Sequence, residues 1–391
     1  GGLVTIMSSS SSGRTTLVKP PPYDPEKSHI ENVLEVTELG VLGPDIFTNT
    51  RQPWHPPGAR GIFGGAVIAQ SLSAAQRTVP DPAPGEAPFF IHSCHCYFLL
   101  AGSSEIPILF HVERVRDGRS FATRTVQARQ RGRCIFTVTA SFVREGAGGV
   151  KQARHAVPLP AGVRPPADDE PADQEAWIAR GPFESRSIEI VGGDDGEEAD
   201  HGKSGQGKVA QPGDEHRMRC RVWNRARGTI SAAGGHAAHL NALAYMSDSY
   251  FIGTVSRVHR LWRFPFAPSE VADLDPALRA HVERSNRVDG LGDGPDDWAA
   301  RPTLGMLVSL DHSIYFHDPR RVRADEWMFS EMDTPWAGDG RGVVLQRIFA
   351  ADGTLLATCV QEGLVRLTQE DVDGAAREGG ATAKDAGKAK L

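Results

Sequence analysis

The sequence predicts an α+β chain of two tandem units, in each of which one apolar helix is followed by a long antiparallel sheet. Three observations carry this reading. A Gly-Gly pair opens a helix-period stretch in each half, β-rich runs with hairpin signals follow each stretch, and the two halves repeat these features in the same order. The size agrees: 391 residues suggest two to three domains. Hydrophobic residues at 40% and charged residues at 24% are enough to bury a sizeable core and exclude a wholly disordered chain. A net charge of -6 leaves no basic footprint, so no nucleic-acid partner is expected.

The elements follow in order. Residues 1–30 read as a loose leader: Gly1 to Ile6 is too short for a signal-peptide apolar core, and five serines follow Met7. The first unit spans 31–145. After Gly64-Gly65, the residues Val67, Ile68, Ser71, Leu72 and Ala75 recur at helical spacing through Arg77. Strands are expected over Phe89 to Leu100, Pro107 to Arg116, Ser120 to Arg129 and Cys134 to Arg144, with turns at Asp117-Gly118 and Arg131-Gly132. A Pro/Ala/Gly-rich linker occupies 146–182.

The second unit spans 183–367, with insertions expected at 192–215, which is rich in Gly, Asp, Glu and Lys, and at 256–303. Gly234-Gly235 precedes a helical stretch from His236 to Ile252. Strands are expected over Gly305 to His317, Trp327 to Asp333, Arg341 to Ala350 and Leu355 to Leu367. The Gly-Gly pairs lie 170 residues apart and Tyr97-Phe98 lies 218 residues before Tyr315-Phe316; the 48-residue difference matches the extra segment from Ser256 to Thr303. A tandem duplication explains these offsets. A sheet of four or more strands buries a single helix by curling round it, and two such units can pair edge to edge as one continuous sheet, the double hotdog. Residues 368–391 form a flexible tail ending in Ala389-Lys390-Leu391, close to the peroxisomal address S-K-L.

Five ordered motifs carry a family likeness: Gly61-Ile62-Phe63-Gly64-Gly65, His92-Ser93-Cys94-His95-Cys96-Tyr97-Phe98, Arg116-Asp117-Gly118-Arg119-Ser120-Phe121, Leu310-Asp311-His312-Ser313 and Gln361-Glu362-Gly363. Together they resemble the type II acyl-CoA thioesterases, especially the peroxisomal branch. The resemblance implies a double hotdog that hydrolyses fatty acyl-CoA thioesters with a trio of Asp, Ser or Thr, and Gln. Matched position by position, the trio is Asp248, Ser309 and Gln361, and it implies no cofactor or metal. The implied partners are acyl-CoA, a peroxisomal import receptor for Ala389-Lys390-Leu391, and a second copy of the chain as in other hotdog proteins. The implied compartment is the peroxisome matrix, with the cytosol as the alternative.

The residues make chemical sense in those roles. Thioester hydrolysis needs a positioned water, a base for its proton and donors for the oxyanion, while a thiol of pKa about 8.5 leaves without a strong acid. On a helix, Asp248 sits roughly 70° from the middle of the stripe of Leu240, Ala244, Ser247 and Phe251, at the edge of the buried face; the plain alternative is a solvated aspartate. Gln361 alternates onto the face of Ala357, Cys359, Gly363 and Val365, where its amide needs a partner that a water or the neighbouring backbone could supply. Alternation groups Ser309 with Asp311 and Ser313, opposite Leu310, Ile314 and Phe316, so periodicity does not turn it toward the helix, and a strand serine can simply bond nearby backbone.

Other chemistries fit less well. No Gly-x-Ser-x-Gly elbow surrounds Ser309, so no acyl-enzyme is expected. His92, Cys94 and Cys96 alternate onto one strand face without a second ligand cluster at zinc spacing. Gly202-Lys203-Ser204 follows Gly196 at the wrong spacing for a phosphate-binding loop. The five cysteines read as buried thiols, and the longest uncharged stretch, 228–247, carries glycines, histidines and Asn241, so no membrane span is expected. A hotdog enoyl-CoA hydratase and a non-catalytic acyl-CoA binder are the alternative functions.

Overall fold

The computed structural model describes residues 19–54, 61–167, 181–192 and 213–369. The chain runs through α1 (His29–Leu34), β1 (Val36–Glu38), β2 (Ile46–Asn49), α2 (Gly64–Gln76), β3 (Phe89–Phe98), β4 (Leu109–Asp117), β5 (Phe121–Gln130) and β6 (Arg133–Arg144). The second half continues with β7 (Phe183–Gly192), β8 (Met218–Ala226), α3 (Gly235–Ser247), α4 (Gly253–Val258), α5 (Pro276–Asp289), α6 (Pro295–Ala299), β9 (Leu304–Ser309), β10 (Asp311–Phe316), β11 (Met328–Gly338), β12 (Arg341–Ala350) and β13 (Leu355–Leu367). Among the described residues, 13 strands join one sheet in the order β1-β2-β4-β5-β6-β3-β10-β13-β12-β11-β8-β7, with β9 on β13. The architecture is the double hotdog, with the two halves meeting where β3 pairs antiparallel with β10.

The core lies between the sheet's inner face and the helices. Ala66, Ile68, Ala69 and Leu72 of α2 and Leu240, Leu243 and Ala244 of α3 are buried in one cluster with Cys94, Val126, Phe142, Ile314 and Ile348 of the sheet. Helices α2 and α3 run side by side in opposite directions, and the Gly64-Gly65 start of α2 meets the end of α3. A Cβ on Gly65 would overlap the Tyr245 carbonyl oxygen, so only glycine permits this approach.

Several sequence expectations are modified. Within the leader expected through residue 30, the described part is already tied down: the Asn32 side chain accepts from the Asp24 N–H at 2.8 Å and donates to the Asp24 carbonyl at 3.0 Å. Ser28 and Glu31 then close a capping box on α1. In the linker, Leu159 and Val163 pack against Trp223, Trp327, Phe329 and Phe349 on the outside of the second half. The extra segment 256–303 builds its own small core from Trp262, Val271, Val282, Leu291 and Trp298.

The helix expected through Ile252 stops at Ser247, and Tyr250, at φ 59°, turns the chain before α4 begins. The strand expected over 305–317 breaks at Leu310 into β9 and β10. Residues 193–212 and 370–391, and with them Gly202-Lys203-Ser204 and Ala389-Lys390-Leu391, lie outside the described residues. Among the described residues no helix is long and apolar enough to cross a membrane.

Candidate active site

Asp248 is the residue that ends α3, and its backbone N–H bonds back to the Met246 carbonyl. The short αR turn after the helix points its carboxylate into the protein, where the side chain is 8% exposed. Gly64 makes room for it: a Cβ there would stand 2.5 Å from Asp248 Oδ2. The start of one helix is thus pressed against the carboxylate that closes the other. Phe63, the residue before that start, offers no side-chain cap; its carbonyl takes the Ala66 N–H at 2.9 Å, and the Gly64 and Gly65 amides precede the first intrahelical bond.

The sheet brings the other groups. In the ladders of β13, Ser309 faces Gly363 and Ser313 faces Val360. Between these pairs the β9–β10 side holds Leu310, Asp311 and His312, while β13 holds Gln361 and Glu362. One extra residue against the partner strand is a β-bulge, and it reverses the side-chain phase. Asp311 Oδ1 fastens the bulge by accepting the Glu362 N–H at 2.6 Å. Burial holds the Asp311 carboxyl above its usual range, against the opposing pull of that hydrogen bond.

The phase change corrects the sequence expectation for Ser309. Directly opposed residues of an antiparallel ladder share a face, so Ser309 lies on the face of Gly363 and hence of Gln361, two residues away. His312 falls on that same inner face, while Asp311 and Ser313 do not. A similar irregularity between Ile91 and Ser93 displaces His92, which bonds Ser141 Oγ at 2.7 Å and rests on Phe121. Cys94 and Cys96 are buried on the inner face, so the three do not share one face as alternation suggested.

Gln361 is fully buried. Its Nε2 donates to Asp248 Oδ1 at 2.8 Å and lies 2.9 Å from His312 Nδ1. His312 Nε2 lies 3.1 Å from Ser247 Oγ, and Ser247 donates to the Ala244 carbonyl at 2.8 Å. Gln361 Oε1 is buried without a hydrogen-bond partner. The structure therefore brings two of the three sequence-selected residues, Asp248 and Gln361, into direct contact. It sets Ser309 on their side of the sheet, with no hydrogen bond to either. Sequence reasoning missed His312 and Ser247; the Leu310-Asp311-His312-Ser313 motif contained the histidine, but alternation gave no reason to link it to Gln361.

Cys96 stands opposite His312 in the β3–β10 ladder. Burial, a contact with Cys94 and the nearby charges of Asp248 and Asp311 push its thiol well up, so it stays protonated and is unsuited to nucleophilic attack. A buried carboxylate touching an amide, with the amide's oxygen unpartnered beside it, is equipped to hold a water and take its proton.

Comparison with known proteins decides the family. A profile of the acyl-CoA thioesterase C-terminal domain matches residues 161–365, and one of the N-terminal domain matches residues 50–143. The chain belongs to the type II acyl-CoA thioesterase family. It is similar to mouse acyl-coenzyme A thioesterase 8, 32% identical over 86% of this chain and 89% of that one. A crystal structure of an acyl-CoA thioesterase II from Mycobacterium marinum is 29% identical, with a TM-score of 0.54, over 87% of this thioesterase and 98% of its own chain. The peroxisomal acyl-coenzyme A thioester hydrolase 1 of Saccharomyces cerevisiae is 36% identical, over 30% of this chain and 32% of its own.

Proposed function

We propose that this thioesterase hydrolyses fatty acyl-CoA by direct attack of a water held by Asp248, Gln361 and Ser309. The observation that carries the reading is the Gln361 amide, which donates to Asp248 at 2.8 Å and keeps a buried, unpartnered Oε1. A water that donates one proton to Asp248 and the other to Gln361 Oε1 satisfies the amide and has a lone pair free for the thioester carbonyl. Ser309, on the same face, adds a third polar anchor.

As the water oxygen bonds to the carbonyl carbon, Asp248 takes the proton and the carbonyl oxygen becomes an oxyanion. The Gly64 and Gly65 amides that open α2, next to Asp248, are the donors suited to it. The C–S bond then breaks, the electron pair leaves with sulfur, and the proton returns from Asp248 to the thiolate. The products are a free fatty acid and CoA.

The test is thiol release from palmitoyl-CoA by wild type and by Asp248→Asn. General-base catalysis is worth about 10² to 10⁴ in rate, so the substitution should lower kcat by at least about a hundredfold. An unchanged rate removes Asp248 from the base role, and loss of crotonyl-CoA absorbance without thiol release moves the chain to the hydratase reading. Peroxisomal residence is proposed with this function, supported by the name of the yeast relative. An N-terminally tagged chain should collect in peroxisomes and become cytosolic without residues 389–391; continued import would mean that another signal operates.

A further inference from the structure

We infer that His312 is a positioning residue that fixes the Gln361 amide so that its nitrogen meets Asp248 and its oxygen meets the water. The inference rests on the proposed role of Gln361 and extends it to two residues, His312 and Ser247, that do not touch substrate.

With a neutral imidazole, whose Nδ1 also lies 3.5 Å from Asp248 Oδ1, the hydrogen-bond directions leave one arrangement. The Ser247 hydroxyl has a single proton, committed to the Ala244 carbonyl at 2.8 Å. Facing His312 Nε2 at 3.1 Å, Ser247 Oγ can therefore only accept, so Nε2 carries the imidazole proton. Nδ1 is left as an acceptor, and it lies 2.9 Å from Gln361 Nε2. Both Gln361 N–H groups are thereby used, one on His312 and one on Asp248. The amide oxygen is the only group left to face the water.

The opposite orientation is disfavoured at both contacts. Turning the amide would set Oε1 against Asp248 Oδ1 and against the Nδ1 lone pair, acceptor facing acceptor, and would present N–H groups to the water. The direction thus starts at a backbone carbonyl in the last turns of α3 and passes through Ser247 and His312 to the amide. Phe251 holds the imidazole edge to face at a centroid distance of 5.1 Å, and the ring is 0% exposed. Both ring nitrogens are taken up by protein groups, Nε2 facing Ser247 and Nδ1 facing Gln361, so the ring's effect on the reaction passes through Gln361.

The test compares two replacements. His312→Asn keeps an acceptor near the Nδ1 position, whereas His312→Leu fills similar space with none. His312→Leu should lower kcat for palmitoyl-CoA by about tenfold or more with KM changed less than about twofold, since it disturbs the transition state and not acyl-CoA binding. His312→Asn should recover most of that loss. Ser247→Ala should lower kcat by a few fold in the wild-type background and add nothing to His312→Leu, because it acts only through the imidazole.

A purely structural histidine gives a different pattern: Asn and Leu variants lose activity in step with their melting temperatures, and the Ser247→Ala loss adds in full. That pattern, or a His312→Leu enzyme with wild-type kcat, overturns the inference. Should His312→Leu fail to fold, a His312→Asn enzyme with near wild-type kcat beside a Ser247→Ala enzyme slowed a few fold would still support the role, while an Asn variant as impaired as Asp248→Asn, or a Ser247→Ala enzyme with wild-type kcat, would overturn it. The two readings separate cleanly. If Asp248→Asn keeps full activity, the water-holding site itself is wrong; if Asp248→Asn is dead but His312→Leu is not, only the positioning role is lost.

Discussion

Gly64 and Gly65 are adjacent and both lie against the end of α3, yet a methyl group on each would meet a different obstacle. At Gly64 the new Cβ would stand 2.5 Å from a carboxylate oxygen of Asp248 and 3.1 Å from the Phe98 ring. Those are side-chain atoms, and they can rotate away. At Gly65 it would overlap the Tyr245 carbonyl, which belongs to the helix and cannot move without shifting α3. Gly64→Ala is therefore expected to displace the Asp248 carboxylate and cut kcat with little change in stability. Gly65→Ala is expected to cost about 1 to 3 kcal/mol, the usual range for forcing extra volume into a packed contact. Thermal unfolding and thiol release from palmitoyl-CoA measured on both variants check this. Equal losses of stability would show that the helix start yields as one piece.

At the scale of elements, legibility followed length and local patterning. Among the strands of ten or more residues, β3, β5, β6, β12 and β13 were readable within two residues because alternation and hairpin turns leave repeated local signals, whereas β11 runs five residues past its expected end at Asp333 and β7 was not read as a strand. Neither α1, β1 nor β2 was: at six, three and four residues they carry too few positions for a period, and they are held by contacts with distant chain such as the pairing of β2 with β4. The Gly-Gly pair was legible as the opening of α2, whereas its purpose is a tertiary approach between two helices 170 residues apart in sequence.

The bulge at Leu310 was the costliest omission for the site. A strict period of two carried Ser309 to the wrong side and left His312 without a role, because one inserted residue shifts every later side chain to the other face. Asp311 supplies the local reason for the bulge, since its carboxylate takes the Glu362 N–H that an unbroken ladder would give to a carbonyl. Asp248 and Gln361 could be picked from sequence by resemblance and by burial pattern. Their mutual contact could not, since it depends on α3 ending at Ser247 and on the turn that follows.

For the molecule as a whole, the join between the halves follows from the repeat. His95 and Ser313 face each other across the β3–β10 ladder and share a hydrogen bond at 2.9 Å. They are 218 residues apart, the same offset that relates Tyr97 to Tyr315. In an antiparallel pair formed by two copies of one unit, a residue that faces its own equivalent lies on the two-fold axis relating the copies. That axis therefore passes between His95 and Ser313, and each unit gives its counterpart the edge strand it would otherwise lack. An isolated first half, residues 19–150, would expose the β3 backbone groups that β10 satisfies and would uncover the α2 face that α3 covers. Such a fragment is expected to pair with itself through β3 about His95, giving twice the chain mass by light scattering together with a β-rich circular dichroism spectrum. A folded monomer would mean that the seam is a contact between two self-sufficient units, and the continuous sheet would then be a consequence of their fusion and no condition of their stability.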